Sequence, residues 1–233
     1  SSRAAPEFVY LNSLFNPLFS ILPLLLRRIG FWGSSRFVLA PRGEVDPGAL
    51  WLKSRKKLLY IKTARRLGLF RDLQWHASGP LEAQHLKCLG FDGKVLVKEN
   101  ETLLPLQAHA SMGGTSDRTE LLYVGRISPK KQVELLIEGL LATRGNFALH
   151  VVGESTDPDY ERLLREKAAP LGTRVVWHGP ADRNAIFEHF DRCDMTCLPT
   201  AGENFGHVVA ESLSRSCPVM IMDVTPWTYR IRA

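Results

Sequence analysis

The chain has 233 residues and a formal net charge of +6, and 45% of its residues are hydrophobic. This composition excludes an extensively disordered chain, and the densest apolar run, residues 18–26, is too short to span a membrane and contains Pro23. The charge is uneven, because residues 1–117 hold 16 basic against 9 acidic residues whereas residues 118–233 hold 14 against 15. We therefore expect the two halves to have different surfaces.

Short β-rich runs alternate with helical patterns through the first half of the chain. The pattern predicts strands at Phe8–Leu11, Phe37–Ala40, Leu73–Ala77 and Lys94–Val97. It predicts helices at Pro17–Arg28, Pro47–Leu67 and Pro80–Leu89. Basic residues surround the apolar face of the second helix, so residues 51–72 form a strongly positive segment.

The periodicity fades between Glu99 and Arg118. Residues 107–116 are small and polar and include the pair Gly113-Gly114, which indicates a linker. We expect a first domain over residues 1–99, a linker over residues 100–117 and a second domain over residues 118–233.

The second half alternates more clearly. Its predicted strands are mostly apolar and so expected to be buried on both faces; they lie at Glu120–Val124, Ala148–Val152, Arg174–Trp177, Met195–Leu198 and Pro218–Met222. Helices follow the first four strands, with N-cap signals at Ser128, Asp157 and Asp182. Such βαβ units predict an α/β fold with two Rossmann-like, parallel-sheet domains.

The first candidate site is a strand-to-helix turn, the kind of position where doubly wound folds bind ligands. Gly125 follows a predicted strand, Arg126 lies in the loop, and Lys131 is predicted to enter the helix that Ser128 opens. Two cations beside the positive end of a helix suit a diphosphate. The sequence lacks the motifs of P-loop NTPases, NAD dehydrogenases, zincins and α/β hydrolases, which disfavours those classes.

The second candidate site is the segment Thr200–Glu211. Glu203 lies in a polar loop and Glu211 lies about one and a half turns inside the following apolar helix, so both acids can border the crevice above the sheet. Gly206 and His207 offer backbone N–H groups at the start of that helix, where anions bind readily.

These residues resemble the donor-binding domain of GT-B glycosyltransferases, most closely the family 4, or glycosyl transferases group 1, type. The resemblance rests on Gly125-Arg126 with Lys131, on the strand Ala148–Gly153 and on the segment Glu203–Val219, and it covers residues 118–227 strongly. It implies two Rossmann-like domains that face each other, a nucleotide-diphosphate-sugar donor and retention at C1 of the sugar. No metal or other cofactor is expected.

The resemblance also assigns roles by position. Arg126 and Lys131 would neutralise the leaving diphosphate, and Glu203 would face hydroxyls of the transferred sugar, so these three are the catalytic candidates. Glu211 would accept hydrogen bonds from the ribose hydroxyls. The diphosphate and the sugar would also be lined, partly by backbone amides, by Gly125, Asn204, Phe205, Gly206 and His207.

The first half resembles the acceptor-side domain of the same enzymes more weakly. Residues 8–15 are similar to the strand and turn that open the acceptor site, and residues 40–44 are similar to a Pro-[His/Arg]-Gly turn. Asn12 stands near a position where family members often carry a His, and Asn cannot act as a general base. Glu44 is the nearby substitute. The acceptor-side candidates are Asn12, Arg42, Gly43 and Glu44.

The chain is expected to be incomplete, because strands that would precede Phe8 and elements that would follow Trp227 in the family are not in it. The main interpretation is a retaining, metal-independent glycosyltransferase. The alternatives are a non-catalytic or truncated nucleotide-sugar-binding relative and, less favoured, a GT-B nucleotide-sugar epimerase. The expected partners are a nucleotide-sugar donor and a saccharide or lipid-linked acceptor.

Other features have simpler interpretations. Asp157-Pro158-Asp159 spells the D-x-D metal motif of another glycosyltransferase fold, but a helix cap is favoured. His150 and His178 fall in predicted strands and are expected to be packed or surface residues rather than ligands. The basic segment 51–72 has two interpretations that the sequence favours about equally. It is either a solvated face or a peripheral contact with anionic lipid on the inner face of the membrane. No nucleic-acid partner is expected.

The cysteines show no C-x-x-C pair and no metal-binding spacing. This predicts buried free thiols and a cytoplasmic location. The four residues are Cys88, Cys193, Cys197 and Cys217.

Overall fold

The computed structural model describes residues 6–51, 54–91, 93–102, 104 and 117–228. The chain forms two compact units. The first comprises Ser1–Asn100 with Gly202–Phe205, and the second comprises Glu101–Ala201 with Gly206–Ala233. Most of the predicted linker lies outside the described residues, and the predicted domain boundaries stay predictions.

The first unit holds a parallel sheet of four strands, namely β1 (Phe8–Leu11), β2 (Arg36–Leu39), β3 (Gln74–Ala77) and β4 (Val95–Val97). They are hydrogen-bonded in the order β1-β2-β3-β4. Its helices are α1 (Leu22–Arg28), α2 (Pro47–Trp51), α3 (Ser54–Arg66) and α4 (Pro80–Cys88). The predicted helix Pro47–Leu67 thus corresponds to α2 and α3, and the two residues between them lie outside the described ranges.

Local chemistry explains how α1 begins. A π-helical turn, Pro17–Ile21, leads into it, and the Asn16 Oδ1 accepts hydrogen bonds from the backbone N–H groups of Leu18 and Phe19 at 3.0 and 2.9 Å. Such capping satisfies donors that a helix start otherwise leaves unpaired. No helix in the described ranges combines the length and the apolar character that a membrane span needs.

The second unit holds a parallel sheet of five strands, namely β5 (Thr119–Val124), β6 (Phe147–Val152), β7 (Val175–Gly179), β8 (Met195–Leu198) and β9 (Val219–Ile221). Its helices are α5 (Val133–Leu141), α6 (Pro158–Ala168), α7 (Arg183–Arg192) and α8 (His207–Ser214). The strand order is β7-β6-β5-β8-β9. The chain therefore moves outward from β5 and returns on its other side. The carboxyl ends of β5 and β8 form the switch point where open α/β sheets bind ligands.

Strands β5 and β6 are buried on both faces, as their apolar sequences predict. Tyr123 and Leu149 pack on the face that α5 and α6 cover. Leu122 and Val152 pack with Phe190 of α7 on the opposite face. Two parallel α/β sheets confirm the predicted fold class.

Two of the predicted helix caps are confirmed. The Asp157 Oδ1 accepts from the backbone N–H of Tyr160 at 3.1 Å, and the Asp182 Oδ1 accepts from that of Ala185 at 3.0 Å. Asp159 is paired with Arg162 at 2.8 Å. The D-x-D sequence therefore serves the start of α6.

The cysteines are free thiols, but they differ in burial. Cys193, Cys197 and Cys217 are buried in the second unit, whereas Cys88 at the end of α4 is exposed. Burial raises the pKa of Cys193 and Cys197 to about 12, so both stay protonated at neutral pH. The expectation of burial was wrong for Cys88, because α4 directs its last residue to solvent.

Candidate functional site

Two loops meet at the carboxyl ends of β5 and β8. One runs from Gly125 to Gln132, and the other begins at Pro199. The Ala201 N–H donates to the Lys130 carbonyl at 2.9 Å, and the Thr200 hydroxyl donates to the same carbonyl at 3.5 Å. The two turns identified in the sequence are thus joined through the backbone.

Gly125 leads the chain out of β5 in a conformation that favours glycine. Its φ is +155°, and its N–H donates to the Val152 carbonyl at 3.0 Å. A Cβ atom at Gly153, which follows β6, would lie 1.9 Å from the Gly125 oxygen. The loops after β5 and β6 therefore touch through the main chain, and a side chain at Gly153 would separate them.

Arg126 is fixed through its backbone. Its carbonyl accepts a hydrogen bond from the Tyr123 hydroxyl at 2.8 Å, and Tyr123 is fully buried. The Arg126 side chain is exposed. This arrangement places a guanidinium at the switch point, where it can bind an anionic ligand.

Lys131 lies in a short 3-10 turn, Pro129–Lys131, and not in the following helix. Gln132 has a φ of 49°, and α5 begins only at Val133. Ser128 makes no side-chain capping hydrogen bond. Ser128 is thus the N-cap residue of the 3-10 turn that contains Lys131, as predicted, but without a side-chain hydrogen bond. The prediction that this turn opens the following helix was wrong, because the left-handed residue at 132 interrupts the helical hydrogen-bond ladder.

Helix α8 begins at the carboxyl edge of the same sheet. Its N-cap, Gly206, has a φ of 79°, and a Cβ atom there would lie 3.4 Å from the Trp227 Nε1. His207 is its first residue, and the His207 Nδ1 lies 2.6 Å from the Thr102 hydroxyl. The N-terminus of α8 is the positive end of its dipole, and its position at the carboxyl edge of the sheet favours an anion there.

Glu211 lies one turn inside α8, and its side chain is 21% exposed. Its Oε1 is 3.6 Å from the Arg183 Nη2, and the Arg183 guanidinium also lies 5.2 Å from the centre of the Phe187 ring. Sequence reasoning did not identify this partner of Glu211. The sequence around Arg183 does not indicate this pairing, because a basic residue directly after a helix cap is common.

The segment Gly202–Phe205 groups with the first unit. A Cβ atom at Gly202 would lie 2.7 Å from the Asp46 Oδ1, and the Ser78 hydroxyl donates to the Asn204 Oδ1. The predicted donor residues are thus divided: the first unit holds Glu203, Asn204 and Phe205, and the second holds Gly125, Arg126, Lys131, Gly206, His207 and Glu211.

Arg42 and Asn12 are brought together at the carboxyl edge of the first sheet. The Arg42 Nε donates to the Asn12 Oδ1 at 2.7 Å, and its Nη2 donates to the Tyr10 hydroxyl at 3.0 Å. Its Nη1 donates to the Asn100 Oδ1. Arg42 has a φ of 54° and the following Gly43 has a φ of 79°, which forms the predicted turn.

Glu44 holds the loop that follows β1. Its carboxylate accepts from the Ser13 hydroxyl at 2.9 Å and from the Leu14 backbone N–H at 2.5 Å. Both of its oxygens contact this loop. The structure therefore gives Glu44 a positioning role.

Sequence reasoning missed a buried acid, Glu82 in the first turn of α4. Its carboxylate accepts from the Gly43 N–H at 2.5 Å and from the Ser78 N–H and hydroxyl at 2.7 Å each. Glu82 is only 5% exposed. Acids are common in first helical turns, so the sequence offered no signal that this one is buried.

The sequence model of the family described as Glycosyl transferases group 1 matches residues 108–230, which is more than half of the chain. The chain belongs to this family.

Curated relatives match this glycosyl transferases group 1 member over part of its length. It is 32% identical over 124 residues to the D-inositol 3-phosphate glycosyltransferase of Geodermatophilus obscurus, covering 48% of the chain and 28% of that relative. It is 28% identical over 107 residues to the lipopolysaccharide 1,6-galactosyltransferase of Salmonella typhimurium, covering 44% and 29%. Each match therefore spans less than a third of the relative.

Solved structures match almost the whole chain. Anabaena HepE in complex with UDP and glucose has a TM-score of 0.72 and 17% identity, and the match covers 96% of this chain and 61% of that one. Sucrose-phosphate synthase from Thermosynechococcus elongatus has a TM-score of 0.74 and 20% identity, with coverage of 96% and 57%. At these identities the likeness concerns the fold, which is that of GT-B glycosyltransferases.

Proposed function

We propose that this protein transfers a sugar from a nucleotide-diphosphate-sugar to a saccharide or lipid-linked acceptor, with retention at the anomeric carbon. The observation that carries the proposal is the backbone junction of the Gly125–Gln132 loop with the loop after β8, beside the start of α8. Two cationic side chains and a helix N-terminus at one sheet edge suit a diphosphate.

The reaction builds negative charge on the leaving diphosphate as its bond to C1 of the sugar breaks. Arg126, with its main chain fixed and its guanidinium exposed, and Lys131 in the adjoining turn would neutralise that charge. Preformed charges of this kind stabilise a transition state without the cost of reorganisation.

We propose that this site uses no metal ion, because the two cations and the start of α8 can supply the positive charge that the diphosphate needs. The two acids of the D-x-D sequence serve α6 instead of a metal ion, since Asp157 caps this helix and Asp159 pairs with Arg162. A magnesium titration of nucleotide binding tests this point, and we expect the dissociation constant to be independent of magnesium.

Glu211 would bind the ribose of the nucleotide. A carboxylate accepts hydrogen bonds from two neighbouring hydroxyls, and the half-buried position of Glu211 limits competition from water. Arg183, at 3.6 Å, would orient this carboxylate.

For the sugar and the acceptor, we propose roles for residues of the first unit. Glu203 would accept hydrogen bonds from hydroxyls of the transferred sugar and favour the positive charge that develops at C1. Asn204 and Phe205 would line the sugar, and the loop that Asn12 and Arg42 hold together would contact the acceptor.

The proposal is tested by calorimetric titration of UDP, GDP and ADP into the wild type and the Glu211→Gln and Glu188→Gln variants. UDP comes first because the similar Anabaena HepE structure holds UDP. Glu188 is a matched control on α7, exposed and paired with Arg192. We expect one nucleotide to bind the wild type and the control equally and to bind Glu211→Gln about 10-fold more weakly.

A second experiment separates the alternatives by supplying the nucleotide-sugar of the nucleotide that binds, together with candidate acceptors. If that donor binds but its sugar is neither transferred to an acceptor nor released by hydrolysis, the protein is a non-catalytic binder. If the sugar of the bound donor changes configuration instead, it is an epimerase. Equal nucleotide affinity in Glu211→Gln and the wild type would remove Glu211 from the site.

We also propose a peripheral contact between the first unit and anionic lipid. Large apolar side chains are exposed around α1, with Phe19 at 72%, Ile29 at 78% and Phe31 at 67%. Arg28 donates to the Leu67 carbonyl at 3.2 Å, so this apolar surface adjoins the basic segment 51–72. Apolar and basic side chains on one surface are typical of interfacial binding.

Sedimentation with phosphatidylglycerol and with phosphatidylcholine vesicles tests this contact. We expect binding to the anionic vesicles only, weakened by salt and by the double variant Phe19→Ser and Phe31→Ser. The matched control replaces Leu135 and Leu163, two exposed apolar residues of the second unit, by Ser. Equal sedimentation of the two double variants would contradict the proposal.

A further inference from the structure

Three histidine side chains converge in the second unit from three different elements. They are His150 of β6, His178 of β7 and His189 of α7, and one ring nitrogen from each lies within 4.8 Å of the others. The ring centres of His178 and His189 are 4.5 Å apart, and those of His150 and His178 are 5.1 Å apart. None of the three has a role in the proposed donor site.

A local irregularity of the sheet positions His178. Val151 pairs with Trp177 whereas Val152 pairs with Gly179, so His178 is the extra residue of a β-bulge between β6 and β7. Bulges redirect side chains and often occur beside functional sites. The bulge leaves the His178 Nε2 at 2.9 Å from the His150 Nδ1.

A carboxylate orients the His150 ring. The Glu120 Oε2 is 2.9 Å from the His150 Nε2, and the other Glu120 oxygen accepts from the Arg118 Nη2 at 2.8 Å. An ionised carboxylate can only accept, so this network assigns the His150 proton to Nε2. The His150 Nδ1 therefore presents its lone pair towards His178.

We propose that His150, His178 and His189 form a binding site for Zn²⁺, in which Glu120 is the carboxylate that orients the His150 ring. Three imidazoles from separate elements, one of them backed by a carboxylate, are a donor set that zinc and its neighbours in the transition series prefer. A water molecule would take the fourth position.

The distances suit this ion. Zinc–nitrogen bonds of about 2.0–2.1 Å in a tetrahedron place the nitrogen ligands roughly 3.3 Å apart. The His150 Nδ1 and the His178 Nε2 are 2.9 Å apart, and all three ring nitrogens lie within 4.8 Å of one another. These distances lie on both sides of roughly 3.3 Å, so rotation of the side chains is enough to bring the nitrogens to the spacing that zinc requires. His178 is exposed and can move its proton from Nε2 to Nδ1 through solvent when the ion binds.

A bound ion would also have a structural consequence. It would join β7, at the edge of the sheet, to β6 and α7.

The experiment uses the chain without a polyhistidine tag, stripped of metal with a chelator and titrated with Zn²⁺ by calorimetry. We expect one ion per chain with a micromolar or lower dissociation constant, and a rise in Tm of several degrees. His178→Gln and His189→Gln should each weaken Zn²⁺ binding at least roughly tenfold, and Glu120→Gln about 10- to 100-fold.

His85→Gln is the matched control, because His85 lies on α4 of the first unit and outside the cluster. Absence of Zn²⁺ binding, or equal binding by the cluster variants and the control, would show that the three rings are only a hydrogen-bonded stack. His178 and His189 lie on different elements, so one variant still reports if the other fails to fold. UDP titrations with and without Zn²⁺ keep this result separate from the donor site.

Discussion

The loops at the carboxyl edge of a sheet are held in place differently in the two units. In the first unit the ties are side chains: the Arg42 guanidinium donates to Asn12, Tyr10 and Asn100, and the Glu82 carboxylate accepts three hydrogen bonds. In the second unit the loops contact one another mainly through backbone atoms, between the loops after β5 and β6 and between those after β5 and β8. The Tyr123 and Thr200 hydroxyls add hydrogen bonds to backbone carbonyls there. A cation fixed through its backbone keeps its side chain available for a ligand, whereas Arg42 is used as an internal tie.

Replacing the two arginines tests this difference most strongly. We expect Arg126→Gln to weaken UDP binding about 10- to 100-fold, because a charged hydrogen bond contributes about 1.5–3 kcal/mol, and to leave the free energy of unfolding unchanged. Arg42→Gln should do the reverse and lower the free energy of unfolding by about 2 kcal/mol. Calorimetry measures the affinity for UDP, and urea denaturation measures the free energy of unfolding. The comparison would be wrong if Arg42→Gln weakened UDP binding and Arg126→Gln lowered the free energy of unfolding.

The backbone contact of the second unit is tested by Gly153→Ala. The new Cβ would lie 1.9 Å from the Gly125 oxygen, so we expect unfolding to become easier by about 3 kcal/mol and Tm to fall by roughly 6–12 °C. The control is Gly139→Ala on α5, where a Cβ meets nothing within 4 Å. That variant should gain about 0.5–1 kcal/mol, because alanine favours a helix. A similar loss in both would mean that the contact is unimportant.

The side-chain network of the first unit is tested by Glu82→Gln. The amide would place an N–H₂ group against donors that now face a carboxylate, so the free energy of unfolding should fall by about 1–3 kcal/mol. Glu161→Gln, which breaks a partly exposed pair with Arg165 on α6, should cost about 0.3–0.5 kcal/mol. Urea denaturation of both variants measures the difference, and equal losses would contradict the importance of the buried network.

The smallest expected difference concerns helix starts in the second unit. Asp157→Ala removes a capping hydrogen bond to Tyr160 and should cost about 1 kcal/mol. Ser128→Ala removes no such bond and should change stability by less than about 0.5 kcal/mol. Thermal unfolding of the pair distinguishes a real cap from a residue that only matches the sequence pattern, and a larger loss for Ser128→Ala would reverse this assignment.

Local patterns predicted the elements well because each pattern is formed by neighbouring residues. β1 and β8 lie at the predicted Phe8–Leu11 and Met195–Leu198, since apolar runs between turn residues favour buried strands. The start of α5 was misplaced, because the left-handed conformation of Gln132 has no signal in the residue type. Only the fold around that turn selects it.

The sequence by itself determined the alternation of strands and helices, the parallel sheets and the glycine and cation at the end of β5. These depend on spacing along the chain. Only the tertiary structure decided that Arg183 pairs with Glu211, that Gly202–Phe205 groups with the first unit, and that three histidines from β6, β7 and α7 converge. Such contacts join residues that are far apart in sequence, and packing of the sheets and helices determines them, so no local pattern of residues could predict them.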